Sequence, residues 1–373
     1  MQITRLALKP LRIPFKTSFK HHSAERKVTQ SVLVVVETDS GAIGVGEGCP
    51  REYVTGESLQ SCQEFFSTWS GELRAEIRSI TDLRNWVERH RNLIDDHPAA
   101  WCAIELALLD ALARDAEQTV EELLRQPTVT GPFTYSAVIG DGDADRVATQ
   151  ITRYASLGFT DFKLKISGDV TQDADRFRLL EQIVPTARLR LDGNNLWQCA
   201  DEVAYYLDRL DIHPFALEEP LQVMDFTGME KLARTAAVHI VVDESALNPK
   251  QIPALRSNAD VYIVNIRISK MGGILRSLSM ADAAITCGLP LIVGAHVGET
   301  SVLTRAAMTI ASAYAPHLLA MEGAFGTHLL QAEIVRPSLV FAAAGRLDFR
   351  NLLIKEEHGF QLAYQLPEGG WTS

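Results

Sequence analysis

The stretch Phe162-Lys163-Leu164-Lys165-Ile166 alternates apolar and cationic residues. In an extended chain successive side chains point to opposite faces, so the two lysines share one face and the three apolar residues the other. On a surface strand the pair would be solvated. In a closed sheet whose outer face is covered by helices, the same pair would be aimed into a site. The flanking sequence decides between these readings.

From about residue 132 onward, short β-rich runs recur at intervals of about 25–30 residues: FTYSAVI, FKLKI, RLRLDGNN, FALEEP, HIVVDES, VYIVNIRI, LPLIVGAH and HLLAME. Between them the patterns predict helices near 144–157, 171–184, 199–210, 226–235, 249–257, 272–287 and 300–314. Alternating strand and helix implies a parallel sheet. Eight units make an α/β chain with a (β/α)8 barrel, which carries its chemistry at the C-terminal strand ends. A doubly wound open sheet is the alternative, but no GxGxxG or GxxxxGK[ST] opens a helix, so a nucleotide crevice has no support. In a barrel the lysine face of FKLKI points inward.

Upstream, residues 2–9 and 31–47 read as strands, the second pair turning at Asp39-Ser40-Gly41, and 97–116 reads as a buried helix. The expected organisation is an α+β capping domain over 1–130, a barrel over 131–328, and a segment over 329–373 that packs back on the cap. The 373 residues are 46% hydrophobic and 22% charged, in keeping with a soluble globular protein. Net charge is −11 with no basic block, which argues against nucleic acid as a partner. No apolar run reaches the roughly 20 residues that span a bilayer. The N-terminal MQITRLALKPLRIPF lacks the features of a signal peptide. Five scattered cysteines without a CxxC pair suit reduced thiols, so a cytoplasmic location is expected.

Three strand ends carry acids: Asp192 in LDGNN, Glu218 in LEEP and Asp243 in VDES, separated by 26 and 25 residues, about one βα unit each. One such acid is most often a helix cap. Three at this spacing sit at matching heights on adjacent strands and converge. Bare carboxylates so placed repel one another and are costly to bury, a conflict that a hard divalent cation resolves. Mg²⁺ is the usual choice, with Mn²⁺ as a substitute. By parity Asn194 lies on the Asp192 side, whereas Glu219 and Glu244 point the other way and support the ligands from behind. Lys163 and Lys165 face the same cavity. Neighbouring cations or desolvation lower a lysine's pKa and make it a useful base, and a lysine pair would do this mutually.

Together these motifs resemble the enolase superfamily, specifically its muconate-lactonizing-enzyme subgroup: Lys163-x-Lys165, Asp192-x-Asn194, Glu218-Glu219-Pro220, Asp243-Glu244-Ser245 and Asn265-x-x-x-x-Lys270-x-Gly272-Gly273. The resemblance extends to IPFKTSF, to the TDSGAIGVGE hairpin and to AIELALLDALA. It implies Mg²⁺ bound by Asp192, Glu218 and Asp243 and chelating a substrate carboxylate. Lys165 would move the α-proton, Lys163 would tune Lys165 and contact the carboxylate, and the metal would stabilise an enediolate.

The resemblance also implies a second catalytic lysine on the sixth strand, and that position holds Arg267, with Lys270 matching the family's other lysine. Arginine stays protonated and is a poor base. A one-face proton transfer by Lys165, such as cycloisomerisation or elimination, is therefore favoured over epimerisation. His296, in VGAHVGETS, stands where the mandelate-racemase branch carries a catalytic histidine and could serve the second face. The family uses two capping loops for specificity, here around Phe19–Lys27 and Cys49–Gly56, with Lys20, His22, Arg51 and Tyr53 as candidate substrate contacts. Glu299 and Glu322 complete that set. The Asp-x-Asp with which dipeptide epimerases hold a substrate amine reads Ala320-Met321-Glu322 here. The expected function is a Mg²⁺-dependent isomerase of the cycloisomerase or racemase/epimerase type acting on a small carboxylate, in a homo-oligomer. A dehydratase-type lyase and a non-catalytic binding barrel are the alternatives.

Overall fold

The fold is taken from a computed structural model, which describes residues 1–21, 24–140, 142–352, 356–369 and 371–372. Five strands open the chain: β1 (Ile3–Leu11), β2 (Pro14–His21), β3 (Ala24–Val28), β4 (Ser31–Thr38) and β5 (Ile43–Gly48). β1, β4 and β5 form an antiparallel sheet in that order, and β2 and β3 form a separate two-stranded ribbon. The region read as a loop around Phe19–Lys27 is thus largely β-structure.

The helix Pro98–Asp115 is buried along most of its length against β4 and β5. Gly44, Gly46 and Gly48 occupy alternate positions of β5 and make this contact possible. A Cβ on them would come within 2.1, 2.0 and 2.0 Å of the carbonyl oxygens of Ala107, Ala103 and Ala99. Glycine on the strand and alanine one helical turn apart let the two backbones touch.

After the short β6 (Phe133–Thr134) comes the eight-stranded parallel sheet. It comprises β7 (Ala137–Ile139), β8 (Asp161–Lys165), β9 (Arg188–Asp192), β10 (Ala216–Glu218), β11 (His239–Val242), β12 (Tyr262–Arg267), β13 (Leu291–Gly294) and β14 (Leu318–Met321), in sequential order. Ser136 N donates to Met321 O at 2.8 Å and links the two edges, so the sheet curls into the expected barrel. Ala216, Val241, Ile263, Ile292 and Ala320 fill its interior. In register, Lys165 lies opposite Asp192, and Asp192 opposite Glu218.

Three local expectations change. FTYSAVI divides, because β6 pairs antiparallel with Arg346 and Leu347 of the C-terminal segment and only Ala137–Ile139 joins the barrel. The helix expected at 249–257 is a 3₁₀ run, Pro249–Asn258; Pro253 inside it has no N–H to donate and disfavours an α-helix. The helix expected at 272–287 is two, Ile268–Met271 and Ile274–Thr286, separated by Gly272 and Gly273 at φ +81° and +97°. Among the described residues no helix is long and apolar enough to cross a membrane.

The C-terminal segment returns to the first sheet and its helix. Tyr364 OH donates to Asp110 at 2.6 Å, Arg114 Nη2 donates to Leu362 O at 2.8 Å, and Thr372 pairs with Leu8. Buried glutamates join the elements further. Glu47 of β5 accepts from Thr300 N (3.0 Å) and Oγ1 (2.7 Å) at the start of the helix Ser301–Ala313. Glu333 accepts from Ser301 N at 2.9 Å, Glu105 from Leu275 N at 3.0 Å, and Glu57 from Ala99 N and Ala100 N at 2.8 and 2.9 Å. Helix starts carry unpaired N–H groups and a positive end, and these acids satisfy both.

Candidate active site

At the C-terminal ends of β8 to β12, acids and cations interleave. Lys163 Nζ lies 2.7 Å from Glu218 Oε2, 3.3 Å from Asp192 Oδ2 and 3.3 Å from Glu322 Oε2. Lys165 Nζ donates to Asn194 Oδ1 at 2.6 Å and to Asp192 Oδ2 at 3.1 Å. Arg267 Nη2 donates to Glu218 Oε1 at 3.0 Å and also contacts Asp243 Oδ2. Lys270 Nζ reaches Asp243 Oδ1 and Asp243 O, both at 2.7 Å, and Asn265 O at 2.9 Å. The FKLKI face does point inward, with both lysines on acids.

The electrostatics follow from these contacts. Burial opposes ionisation of Asp192, but Lys165 and Lys163 outweigh it and hold this acid below its usual range. Burial likewise opposes Asp243, which Arg267 and Lys270 keep low. At Glu218 burial wins, helped by the nearby Asp192, Glu322 and Asp243, and the pKa rises despite Lys163. The expectation that the lysines would depress each other does not describe Lys163. Burial pulls it down, yet Glu218, Glu322 and Asp192 raise it above the normal lysine value, so it is a fixed ammonium.

The supporting residues are placed by turns rather than by strand parity. β9 ends at Asp192, and Asn194 swings in with φ +44°. Glu219, at φ +38° beyond β10, accepts from Asp243 N, Ser245 N and Ser245 Oγ at 2.7, 2.7 and 2.9 Å, bracing the Asp243 loop; burial raises its pKa to about 7. β11 ends at Val242, so alternation does not reach Glu244. Burial and the neighbouring Asp243 raise the pKa of its carboxyl well above the usual range, and its Oε2 has no hydrogen-bond partner.

His296 follows β13 and is buried, its Nδ1 3.6 Å from Glu299 Oε1, with neither ring nitrogen hydrogen-bonded. Burial and the nearby Arg267 and Arg51 push its pKa well below 6.5, so the ring is neutral. Burial raises Glu299 to about 8, and this carboxyl accepts from His296 N at 2.6 Å. Arg51 is buried and ties loops together, donating to Gln30 O, Pro50 O and Val297 O at 2.9, 2.6 and 2.8 Å. Tyr53 is 40% exposed, with the Arg26 guanidinium 5.8 Å from its ring centre. The Lys20 side chain and all of His22 lie outside the described residues.

Glu322 is held by Lys163 and by Arg190 Nη1 at 2.7 Å, with Arg190 Nη2 also donating to Ser136 Oγ at 2.8 Å. Sequence reasoning missed Arg190. The alternation Arg188-Leu189-Arg190-Leu191-Asp192 carries the signal, since it puts Arg190 on the Asp192 face. Asn265, whose Nδ2 donates to Glu218 Oε1 at 3.3 Å, was read only as a motif letter.

The acid set suits a hard cation in its donors, which are oxygen only. Glu218 Oε2 and Asp243 Oδ2 are buried and accept no aligned hydrogen bond, although Lys163 and Arg267 contact them. As arranged, no three acidic, histidine or cysteine side chains among the described residues converge closely enough to hold one ion.

Two family models account for most of the chain. Residues 146–349 match "Enolase C-terminal domain-like", and residues 2–125 match "Mandelate racemase / muconate lactonizing enzyme, N-terminal domain". The architecture is that of an enolase-superfamily enzyme. Within that superfamily the chain belongs to the mandelate racemase/muconate lactonizing enzyme family, and it is an isomerase. It is 25% identical over 323 residues to the hydrophobic dipeptide epimerase of Enterococcus faecalis, covering 84% of this chain and 88% of that one. It is also 25% identical over 317 residues to the N-succinyl-L-Arg/Lys racemase of Bacillus cereus, covering 83% and 84%. Its fold superposes on the dipeptide epimerase from Cytophaga hutchinsonii, complexed with Mg and the dipeptide D-Ala-L-Val, with a TM-score of 0.85 at 22% identity, covering 98% and 96%.

Proposed function

We propose that this isomerase moves the proton α to the carboxylate of a small substrate, with Lys165 as the base and Asp192, Glu218 and Asp243 as the holders of Mg²⁺. The observation that carries the reading is the array itself: a lysine at the barrel mouth bonded to the first of three buried acids on consecutive strand ends. Bound there, Mg²⁺ would neutralise the substrate carboxylate and the charge that develops on it as the proton leaves. Asp192 and Asn194 orient the Lys165 amine, and proton transfer takes place at its Nζ. Lys163 is a fixed positive charge facing the same space, suited to receive the carboxylate. Arg267 stands in place of a second lysine. It stays protonated and anchored on Glu218 and Asp243, so it stabilises anions and removes no proton.

Glu322 is engaged by Lys163 and Arg190, and Ala320 replaces a second acid, which leaves little to receive a substrate ammonium. This supports a substrate whose nitrogen is acylated or absent, and among the relatives the N-succinyl-amino-acid racemase is consistent with it. A second reading, transfer on both faces, is favoured by His296, which is neutral and has two unpartnered ring nitrogens.

The test is incubation in D₂O with Mg²⁺ and N-acyl amino acids, dipeptides and muconates, followed by mass spectrometry. Deuterium at an α-carbon without other mass change is expected. Inversion at that carbon assigns His296 the second face, whereas retained configuration assigns the reaction to Lys165 alone. Loss of water, or no label in any carboxylate, overturns the reading.

A further inference from the structure

Arg267 does more than replace a base. Its guanidinium is buried, 8% exposed, and stands between two of the three acids, on Glu218 Oε1 at 3.0 Å and against Asp243 Oδ2. The surroundings fix it there. Asn265, two residues earlier on β12 and therefore on the same face, shares Glu218 Oε1. It packs into the space left by Gly294, where a Cβ would come within 2.3 Å of Asn265 Oδ1. Lys270 holds the other oxygen of Asp243 at 2.7 Å.

Asp192 and Glu322 are also matched. Asp192 has Lys165 and Lys163, and Glu322 has Arg190 and Lys163. Asp192, Glu218, Asp243 and Glu322 thus each already have a cation of this chain against them. A divalent ion entering between Glu218 and Asp243 would meet the guanidinium at contact range, in a buried setting where like charges repel strongly.

We propose that Arg267 is a tethered counter-cation that competes with the divalent ion for Glu218 and Asp243, so that the free protein binds the metal weakly and the guanidinium must withdraw for the ion to seat. This rests on the reading of Asp192, Glu218 and Asp243 as the metal site. The geometry supplies the competition directly: Glu218 Oε2 and Asp243 Oδ2, buried carboxylate oxygens without an aligned hydrogen-bond donor, belong to the two acids that Arg267 bridges.

The test uses Mn²⁺ as the probe on the substrate-free, full-length protein, with affinity read by the EPR signal of unbound Mn²⁺ and stability by thermal unfolding. Arg267→Met keeps the bulk and removes the charge, and Arg267→Lys keeps the charge on a more compact, more hydrated group. Both should bind Mn²⁺ more tightly than wild type, Arg267→Met by at least about tenfold. Added Mn²⁺ should raise the unfolding temperature of Arg267→Met more than that of wild type, because an ion that binds only the folded state stabilises it more the tighter it binds. Arg267→Lys alone suffices for the comparison should the methionine variant not fold. Equal or weaker affinity in the variants overturns the competition while leaving the metal site standing. No Mn²⁺ binding to any form overturns the metal site and the competition with it.

Discussion

Two sets of buried acids run through this molecule, and they are satisfied differently. At the barrel mouth Asp192, Asp243 and Glu322 sit against ammonium and guanidinium groups and are held ionised despite their burial. Where the N-terminal elements and the C-terminal segment meet the barrel helices, Glu47, Glu105 and Glu333 accept from backbone amides and hydroxyls, and burial pushes each to about 7. At Asp192, Asp243 and Glu322 a full charge offsets desolvation where a few N–H dipoles do not; at Glu218 the crowding of Asp192, Glu322 and Asp243 adds to burial and the pKa rises. The first set can exchange one cation for another, which a binding site requires. The second set can only hold elements together.

The largest way to break the comparison is to take a cation from the mouth. Lys270→Met takes one of the two cations in ion-pair contact with the fully buried Asp243 among the described residues, and should cost about 3–5 kcal/mol in urea unfolding. Arg190→Met should cost less, about 2–3 kcal/mol, because Glu322 keeps Lys163.

The amide-held acids predict a pH dependence of the opposite kind. Unfolded, they ionise near 4.5, whereas folded they ionise near 7, and Glu299 near 8. Between those values the folded state binds more protons, so their stabilisation is complete below about pH 4.5 and is lost as pH rises through 7 to 8. His296, depressed by burial and the nearby Arg267, acts the other way but only below its unfolded value near 6.5. Glu219, raised to about 7, adds to the loss. Five raised carboxyls outweigh one depressed histidine, so unfolding free energy should fall from about pH 4.5 to about pH 8 and then level off. The acids held low at the mouth contribute no slope there. Glu47→Gln, the smallest change, keeps an acceptor for Thr300, should cost about 1 kcal/mol at pH 6, and should flatten part of that slope. A slope unchanged by this substitution would remove Glu47 from the explanation.

The sequence was most legible where one strand's geometry governs. Asp192 and Glu218 end their strands in register, and the lysines of FKLKI share the inward face, so spacing and period sufficed to place them together. It was least legible just past the strand ends. Asn194 and Glu219 depend on left-handed backbone that two-residue alternation does not encode, and Glu244 lies beyond the last residue of β11. The β2–β3 ribbon lacks the apolar alternation that marks a half-buried strand. Thr300, which pairs with Glu47, and Val297, the farthest partner of Arg51, lie 253 and 246 residues away, a distance no local pattern spans. The barrel was therefore readable before its mouth, and the mouth before the contacts that hold the N-terminal elements onto it.

The most direct test of the central claim is the rate of solvent deuterium entry at the substrate α-carbon in Lys165→Ala, measured beside Mn²⁺ affinity on the same preparation. The account predicts exchange slowed by at least about a thousandfold while metal binding persists, since Lys165 bears on the proton and Asp192 keeps Lys163. Exchange at the wild-type rate with metal bound would contradict it, and the base would have to be sought elsewhere at the barrel mouth.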